Sequence, residues 1–349
     1  MEEMRALGAD WWNDSCDLNQ LSDAVAQGAT GATSNPVIVE AAVSADKDRW
    51  LPVVKELALA NPRDDAEAIT WRLIAEMGRQ AAEILLPVYE ETKGAKGYLS
   101  LQVNPTYNLD ADKMYDQALE LASLAPNIAI KVPTTESGLA TAERLVGRGI
   151  PVNTTVSFSV AQAVAAAEAI ERGLDAYEAA GNDPTTVHPY VTIMVGRVGD
   201  YLKRIADRER IDFSDETAFA LSGVYVFKNA ARLFKRQNYR STLLAAAYRH
   251  ELQWSQIIGP EVLQSLPYAW WQQFKDSDFA TRDTLWEAED AMTLEGIQAA
   301  FPDFDKIYQP DGLTESEFQT FEASAHTLTQ FAQGYQTLVA LVAKTMGSS

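Results

Sequence analysis

Along this chain, short apolar runs bounded by turn residues alternate with longer stretches in which apolar residues recur every three or four positions. The short runs predict strands at 9–14 (ADWWND), 30–35 (TGATSN), 97–103 (GYLSLQV), 127–133 (NIAIKVP) and 150–156 (IPVNTTV). Three more are predicted at 189–196 (PYVTIMVG), 242–248 (TLLAAAY) and 262–267 (VLQSLP). Between them, Ile74, Met77, Ala81, Leu85 and Val88 fall on one helical face, as do Met114, Ala118, Leu121, Ala122 and Ala125. Val160, Ala163, Val164 and Ala167 form another stripe behind a Ser159-to-Gln162 capping-box spacing. Val224, Phe227, Ala231 and Phe234 form a further one, and Gly149 and Gly173 read as helix stops.

Alternation of this kind gives parallel sheets covered by helices, and eight strand–helix repeats predict a closed (β/α)8 TIM barrel. No GxGxxG follows an early strand, so the pattern does not favour a dinucleotide fold. The charged stretch 204–216 and the segment 272–313 read as insertions, and 314–346 as one long C-terminal helix packed on the barrel. With no repeat or linker, residues 1–349 are expected to form one barrel domain.

Composition changes this picture little: 47% of residues are apolar and 22% charged, enough for a large core. No apolar run approaches the roughly 18 residues of a membrane span. The opening MEEMRALGADWW lacks a basic-then-apolar leader pattern, so a cytoplasmic chain is expected. Cys16 is the sole cysteine, which excludes an internal disulfide and a cysteine-rich metal site. His188, His250 and His326 have no metal-ligand spacing. A net charge of −20 opposes binding to nucleic acid or an anionic membrane. It leaves room for a small phosphorylated ligand, which needs only two or three local donors.

The residue that does change the picture is Lys131, an ammonium inside the apolar run NIAIKVP. It is either an edge or snorkelling charge or an amine wanted for chemistry. In a barrel the chemistry lies at the C-terminal strand ends. There the chain places Asp14, Asn35, Gln102, Lys131, Asn153, Thr155 and Thr192, with Arg197 and Arg249 just beyond. One amine, one carboxylate, neutral hydrogen-bonding groups and two arginines suit Schiff-base aldol chemistry on a phosphorylated sugar. Such a lysine must be neutral part of the time, and burial between Ile130 and Val132 is expected to lower its pKa.

These residues also carry a resemblance. TGATSNP (30–36), NIAIKVPTTESGLATAERLVGRGIPVNTTVSFSVAQ (127–162), VTIMVGRVGD (191–200) and LLAAAYRH (243–250) resemble, in order, motifs of the transaldolases. The resemblance runs from about residue 10 to 270. It implies that Lys131 forms the Schiff base, that Asp14, first in NDSCD, is the acid/base, and that Asn35 and Asn153 bind the dihydroxyacetone hydroxyls. It also implies that Thr155 helps hold a catalytic water and that Arg197 and Arg249 bind phosphate. Sugar phosphates are then the partners of a monomer or homodimer that uses no cofactor and no metal.

Three positions depart from the pattern. Gln102 stands where transaldolases usually carry glutamate, and an amide positions water without taking its proton. The related fructose-6-phosphate aldolases do use glutamine there, but pair it with a tyrosine where this chain has Met194. Ala247 replaces a serine that often assists phosphate binding. Transfer of a dihydroxyacetone unit is therefore the expected activity. The alternatives are aldol cleavage through free dihydroxyacetone and a non-catalytic sugar-phosphate-binding homologue. Simpler roles compete at single positions: Asp14 as a cap for a helix starting at Leu18, Asn35 as a turn former, and the arginines as ion-pair partners. The tryptophan pairs Trp11–Trp12 and Trp270–Trp271 are expected to serve packing.

Overall fold

The structure is a computed structural model that describes residues 1–277 and 281–347. Eight parallel strands close into a barrel in the order β1 to β8, with β8 pairing back onto β1. They are β1 (Asp10–Asp14), β2 (Gly31–Thr33), β3 (Tyr98–Gln102), β4 (Ile128–Pro133), β5 (Val152–Thr155), β6 (Tyr190–Ile193), β7 (Thr242–Ala245) and β8 (Val262–Leu266). All eight predicted strands are present, each shorter than its apolar run. The excess residues fall in the loops at either end of the strands, and those past the C-terminal ends lead to the barrel mouth.

The two faces of each strand meet different surroundings. Trp12, Tyr98, Ala129, Tyr190, Leu244 and Leu263 form a small cluster of their own, the filling of the barrel interior. Ile128, Ile130 and Val132 belong instead to the large core between sheet and helices. This follows from the two-residue alternation of a strand. It corrects one expectation: Ile130 and Val132 point away from Lys131 and do not enclose its amine. The interior is tight enough to require Gly31, where an added Cβ would lie 2.5 Å from Trp12 Cε2.

The predicted helical stripes lie in the helices Ala66–Glu91, Ala111–Ala122, Val160–Ala179 and Glu216–Gln237, except Ala125, which falls past the helix end in the loop before β4. Ser159 does cap its helix by accepting from Gln162 N at 3.1 Å. Gln162 Oε1, however, accepts from Phe158 N at 2.9 Å, so the side chain staples the loop before the helix. Gly149 follows the end of the helix Glu136–Val146 with φ +78°. Gly173 is no stop; it lies inside Val160–Ala179, where a Cβ would lie 2.7 Å from the Glu143 carbonyl of the neighbouring helix.

The stretch 204–216 holds the end of the helix Val195–Glu209, a short link, and the first residue of Glu216–Gln237, two helices that both stand between β6 and β7. Segment 272–313 contains the end of the helix Tyr268–Lys275 and the helices Ala291–Ala300 and Phe304–Tyr308, while its residues 278–280 lie outside those described. The C-terminal helix begins at Glu322, later than expected, after a separate turn at Glu315–Phe318, and ends at Met346. Among the described residues no helix is long and apolar enough to cross a membrane. Trp11, Trp12 and Trp271 are buried, with the Trp11 and Trp271 rings 5.3 Å apart, which is packing as expected.

Candidate active site

Register alone brings the key residues together. Gln102 pairs with Lys131 and Lys131 with Asn153, so β3, β4 and β5 present the three side by side. Asp14 pairs with Thr33, and β2 pairs in turn with β3, so β1 and β2 continue the same arc of the closed sheet. A cavity of about 180 Å³ opens there, lined by Asp14, Thr33, Asn35, Lys131, Thr155 and Thr192. Met194, Arg197, Ala246, Ala247, Arg249, Val37, Ile38, Pro267 and Phe331 complete its wall. At about 30 Å³ per water, the cavity has room for roughly six water molecules, a volume suited to a fragment of a few heavy atoms. A larger groove of about 550 Å³ on the barrel flank includes Trp71, Tyr107 and Lys113, but no strand end opens into it.

Lys131 is buried, at 5% exposure, and its Nζ donates to the Ser34 carbonyl at 3.1 Å. Burial lowers its pKa below the ordinary lysine value, opposed by the nearby Asp14 carboxylate. The expected direction is correct, but the low-dielectric surroundings are the barrel interior and not its chain neighbours. Burial acts on Asp14 in the opposite sense and raises its pKa, against the pull of Lys131 and of the Thr33 hydroxyl. Thr33 Oγ1 donates to Asp14 Oδ1 at 2.6 Å, and Ser265 Oγ lies 2.5 Å from Thr33 Oγ1. With the Thr33 proton committed to Asp14, Ser265 is the donor in that second contact. Asp14 caps nothing: the helix at Leu18 is capped by Asp17, which accepts from Asn19 N and Gln20 N.

Asn35 combines both readings made for it. Its Oδ1 accepts from Val37 N and Ile38 N, both at 3.0 Å, as N-cap of the helix Pro36–Ala45. Only its amide nitrogen is left to meet a ligand. Asn153 lies just beneath the cavity, donating to Ser100 Oγ at 2.9 Å and accepting from Thr192 Oγ1 at 2.7 Å. Gln102 is also buried beneath it, with no protein partner for Oε1 among the described residues; Thr155 Oγ1 lacks one as well. Buried acceptors and hydroxyls in that condition are the places where ordered water belongs.

Met194 and Arg197 are not on a strand. Met194 is the N-cap of the helix Val195–Glu209, with no side-chain cap, and Arg197 is its third residue. Arg197 N already donates to the Met194 carbonyl at 3.0 Å, and the N–H groups ahead of it at the helix start make an anion-attracting end. An added Cβ on Gly196 would lie 2.0 Å from the Ala247 carbonyl, so only glycine lets this turn rest against the loop after β7 that carries Arg249. Ala247 and Val156, the latter just past Thr155, hold φ values of 63° and 60°. Such left-handed backbone is costly, above all for a β-branched valine, and it clusters here at the strand ends.

Arg249 does form an ion pair, Nε to Asp200 Oδ2 at 3.2 Å. Arg197 has no carboxylate partner among the described residues; Nη1 donates to Thr327 Oγ1 at 3.2 Å and Gln330 Oε1 at 2.5 Å. Burial, and then the charge of Arg249, lowers its pKa to about 10, still cationic near neutrality. The residues that sequence reasoning missed are Thr33 and Phe331 in the cavity wall, Ser34 and Ser265 behind it, and Thr327 and Gln330 beside it. Thr33 and Ser34 stand inside the quoted TGATSN. The C-terminal helix gave no local sign of reaching the barrel mouth. Among the described residues no group of three or more His, Cys, Asp or Glu side chains is placed to hold a metal ion.

Comparison with known proteins finds relatives named transaldolase along most of the chain. A transaldolase of Neisseria gonorrhoeae is 28% identical over 92% of this chain and 97% of its own length. Transaldolase 1 of Streptomyces avermitilis is 30% identical over 72% of this chain and 68% of its own. A transaldolase of Trichodesmium erythraeum is 26% identical over 76% and 78%. The profile described as Transaldolase/Fructose-6-phosphate aldolase matches residues 11–332. The chain, with its eight-stranded barrel and the lysine buried in the fourth strand, belongs to the transaldolase/fructose-6-phosphate aldolase family of enzymes.

Proposed function

We propose that this protein is a transaldolase that moves a dihydroxyacetone unit from a phosphorylated ketose to an aldose phosphate through a Schiff base on Lys131. The observation that carries the reading is the buried amine of Lys131, held at the cavity with its pKa lowered by burial, in a site that also holds Asp14. The neutral amine adds to the ketone carbonyl, and loss of water with uptake of one proton from solvent leaves an iminium. The carboxylate of Asp14 takes the proton of the β-hydroxyl as the bond between the α- and β-carbons breaks. The electron pair of that bond enters the iminium, giving an enamine and releasing an aldose phosphate. The enamine then adds to the incoming aldehyde, Asp14 returns the proton to the new alkoxide, and water releases the product.

The neighbours have roles consistent with this sequence. Asn35 and Asn153 meet the hydroxyls of the three-carbon unit, with Thr192 holding Asn153. Gln102 and Thr155, each with an unpartnered buried oxygen, hold the water that leaves and returns. Arg197 and Arg249, with the open start of the helix Val195–Glu209, receive the phosphate; Met194 packs between that helix and the bond-breaking centre. The lone buried Cys16 suits a reducing, cytoplasmic setting.

The test is incubation with fructose 6-phosphate, reduction with borohydride, and peptide mass spectrometry. A mass increase on Lys131 is expected. Its absence, where a control transaldolase is trapped, overturns the reading and favours a non-catalytic binding protein. A second reading rests on Gln102, whose neutral amide replaces a base: cleavage with release of free dihydroxyacetone. Turnover of fructose 6-phosphate without erythrose 4-phosphate distinguishes it from transfer.

A further inference from the structure

The C-terminal helix Glu322–Met346 lies across the barrel mouth. At its start Ser324 Oγ accepts from Gln162 Nε2 at 3.1 Å, in the first turn of the helix Val160–Ala179. Further along, Tyr335 accepts from Trp71 Nε1 at 3.0 Å, on the helix Ala66–Glu91. Gly334 rides on Val37, where an added Cβ would lie 2.7 Å from Val37 Cγ2. Between these anchors, Phe331 lines the cavity, and Thr327 and Gln330 hold Arg197.

The manner of that hold is informative. Both acceptors are neutral, so they fix the guanidinium without neutralising it. Arg249, by contrast, is already partnered by the Asp200 carboxylate. Arg197 also keeps a buried Nε with no partner among the described residues, and its guanidinium stands 5.9 Å from the centre of the Phe331 ring. The Gln330 amide is itself oriented. With Oε1 facing Arg197, its Nε2 can only donate, and it lies 3.0 Å from His326 Nε2. The accepting histidine nitrogen is therefore the unprotonated one.

We propose that Gln330 is a positioning residue for Arg197, so that the C-terminal helix sets how the barrel mouth recognises the anionic group of its substrate. This rests on the reading of Arg197 as an anion-binding group. Because Ser324 and Tyr335 anchor the helix on both sides, loss of the Gln330 amide leaves the helix docked. The effect is confined to the guanidinium, which then spreads over several rotamers and must be ordered anew each time an anion binds.

The test uses the full chain with Gln330→Met, which keeps length but removes the acceptor. Steady-state rates are measured with fructose 6-phosphate and with unphosphorylated fructose, and inorganic phosphate is titrated calorimetrically. The expected result is a KM for fructose 6-phosphate raised about tenfold and phosphate affinity weakened to a similar extent, the usual worth of a hydrogen bond to a charged group. The kcat, the melting temperature and kcat/KM for fructose change less than twofold. Gln330→Glu keeps the acceptor but sets a carboxylate on Arg197, and weakens phosphate binding further.

Phosphate affinity and KM within twofold of wild type in Gln330→Met overturn the inference alone. Equal losses with fructose and fructose 6-phosphate overturn it in favour of a purely structural role. A wild type that binds no phosphate overturns the anion-site reading, and this inference with it. In a wild type that binds phosphate but turns over no sugar, the transaldolase reading fails separately and the titration still decides the role of Gln330.

Discussion

Thr33 Oγ1 donates to Asp14 Oδ1 at 2.6 Å across the β1–β2 pairing, so the carboxylate assigned to proton transfer is held by its neighbour on the adjacent strand. Burial raises the Asp14 pKa and this hydrogen bond lowers it. In Thr33→Val the lowering contribution is lost and the pKa rises further. If the carboxylate form is the working one, the acid limb of the kcat/KM profile moves to higher pH, and the rate falls about tenfold on that limb. A pH–rate profile checks this, and an unshifted limb removes Asp14 from the proton-transfer step.

Lys131 carries a stability cost that depends on pH. Its pKa in the fold lies below the unfolded value of 10.5, so between those two values the unfolded chain binds more protons. Stability contributed by this group is therefore lowest below the folded pKa and recovers as pH rises towards the unfolded one. Lys131→Met should be inactive yet more stable at pH values below the folded pKa of the lysine. The advantage should shrink on the alkaline side. Denaturant melts at several pH values measure it, and an equal stability difference at every pH contradicts the assignment.

Gln102 lies beside Lys131 in register, with a buried Oε1 that meets no donor among the described residues. A carboxylate there can move the water proton that an amide can only orient. Gln102→Glu is expected to raise transfer to erythrose 4-phosphate by about tenfold relative to release of dihydroxyacetone. A coupled assay that scores both products decides; an unchanged or lower ratio shows that the missing base does not limit transfer.

Burial pushes the Cys16 thiol up to about 12, so it stays protonated at working pH. In the native protein at about pH 8 it should react with a thiol reagent only as fast as the chain opens. In denaturant the same thiol should react within the mixing time. Fast native labelling, followed by absorbance, shows that the β1 end is more open than the structure has it.

In the barrel interior, Gly31→Ala forces a methyl to within 2.5 Å of Trp12 Cε2. Overpacking of this kind costs about 2 kcal/mol. Thermal melts should show the loss, and a Trp12→Phe background, with its smaller ring, should recover part of it.

The helical stripes and seven of the eight strands followed directly from local period, because alternation and the 3.6-residue repeat are properties of short segments. The eighth, at 262–267, was faint because Gln264 and Ser265 interrupt its apolar run; both are buried, with Ser265 beside Thr33 and Gln264 accepting from Tyr248. Strand-end position selected Lys131, Thr155 and Thr192. Gly173 misled, because a glycine required by helix contact looks like one that ends a helix. Asp14 and Asp17 look alike in NDSCD; only the backbone shows that Asp17 caps the helix and leaves Asp14 to the cavity.

By itself, then, the sequence determined the repeating strand–helix unit, the strand ends and the residue types gathered there, since these depend on neighbours a few positions apart. The tertiary structure alone decided which way each side chain faces and what meets it from afar. Closing β8 onto β1 sets Ser265 against Thr33, and docking of the last helix sets Gln330 against Arg197. Those contacts depend on barrel closure and helix packing, which join segments that no local pattern connects.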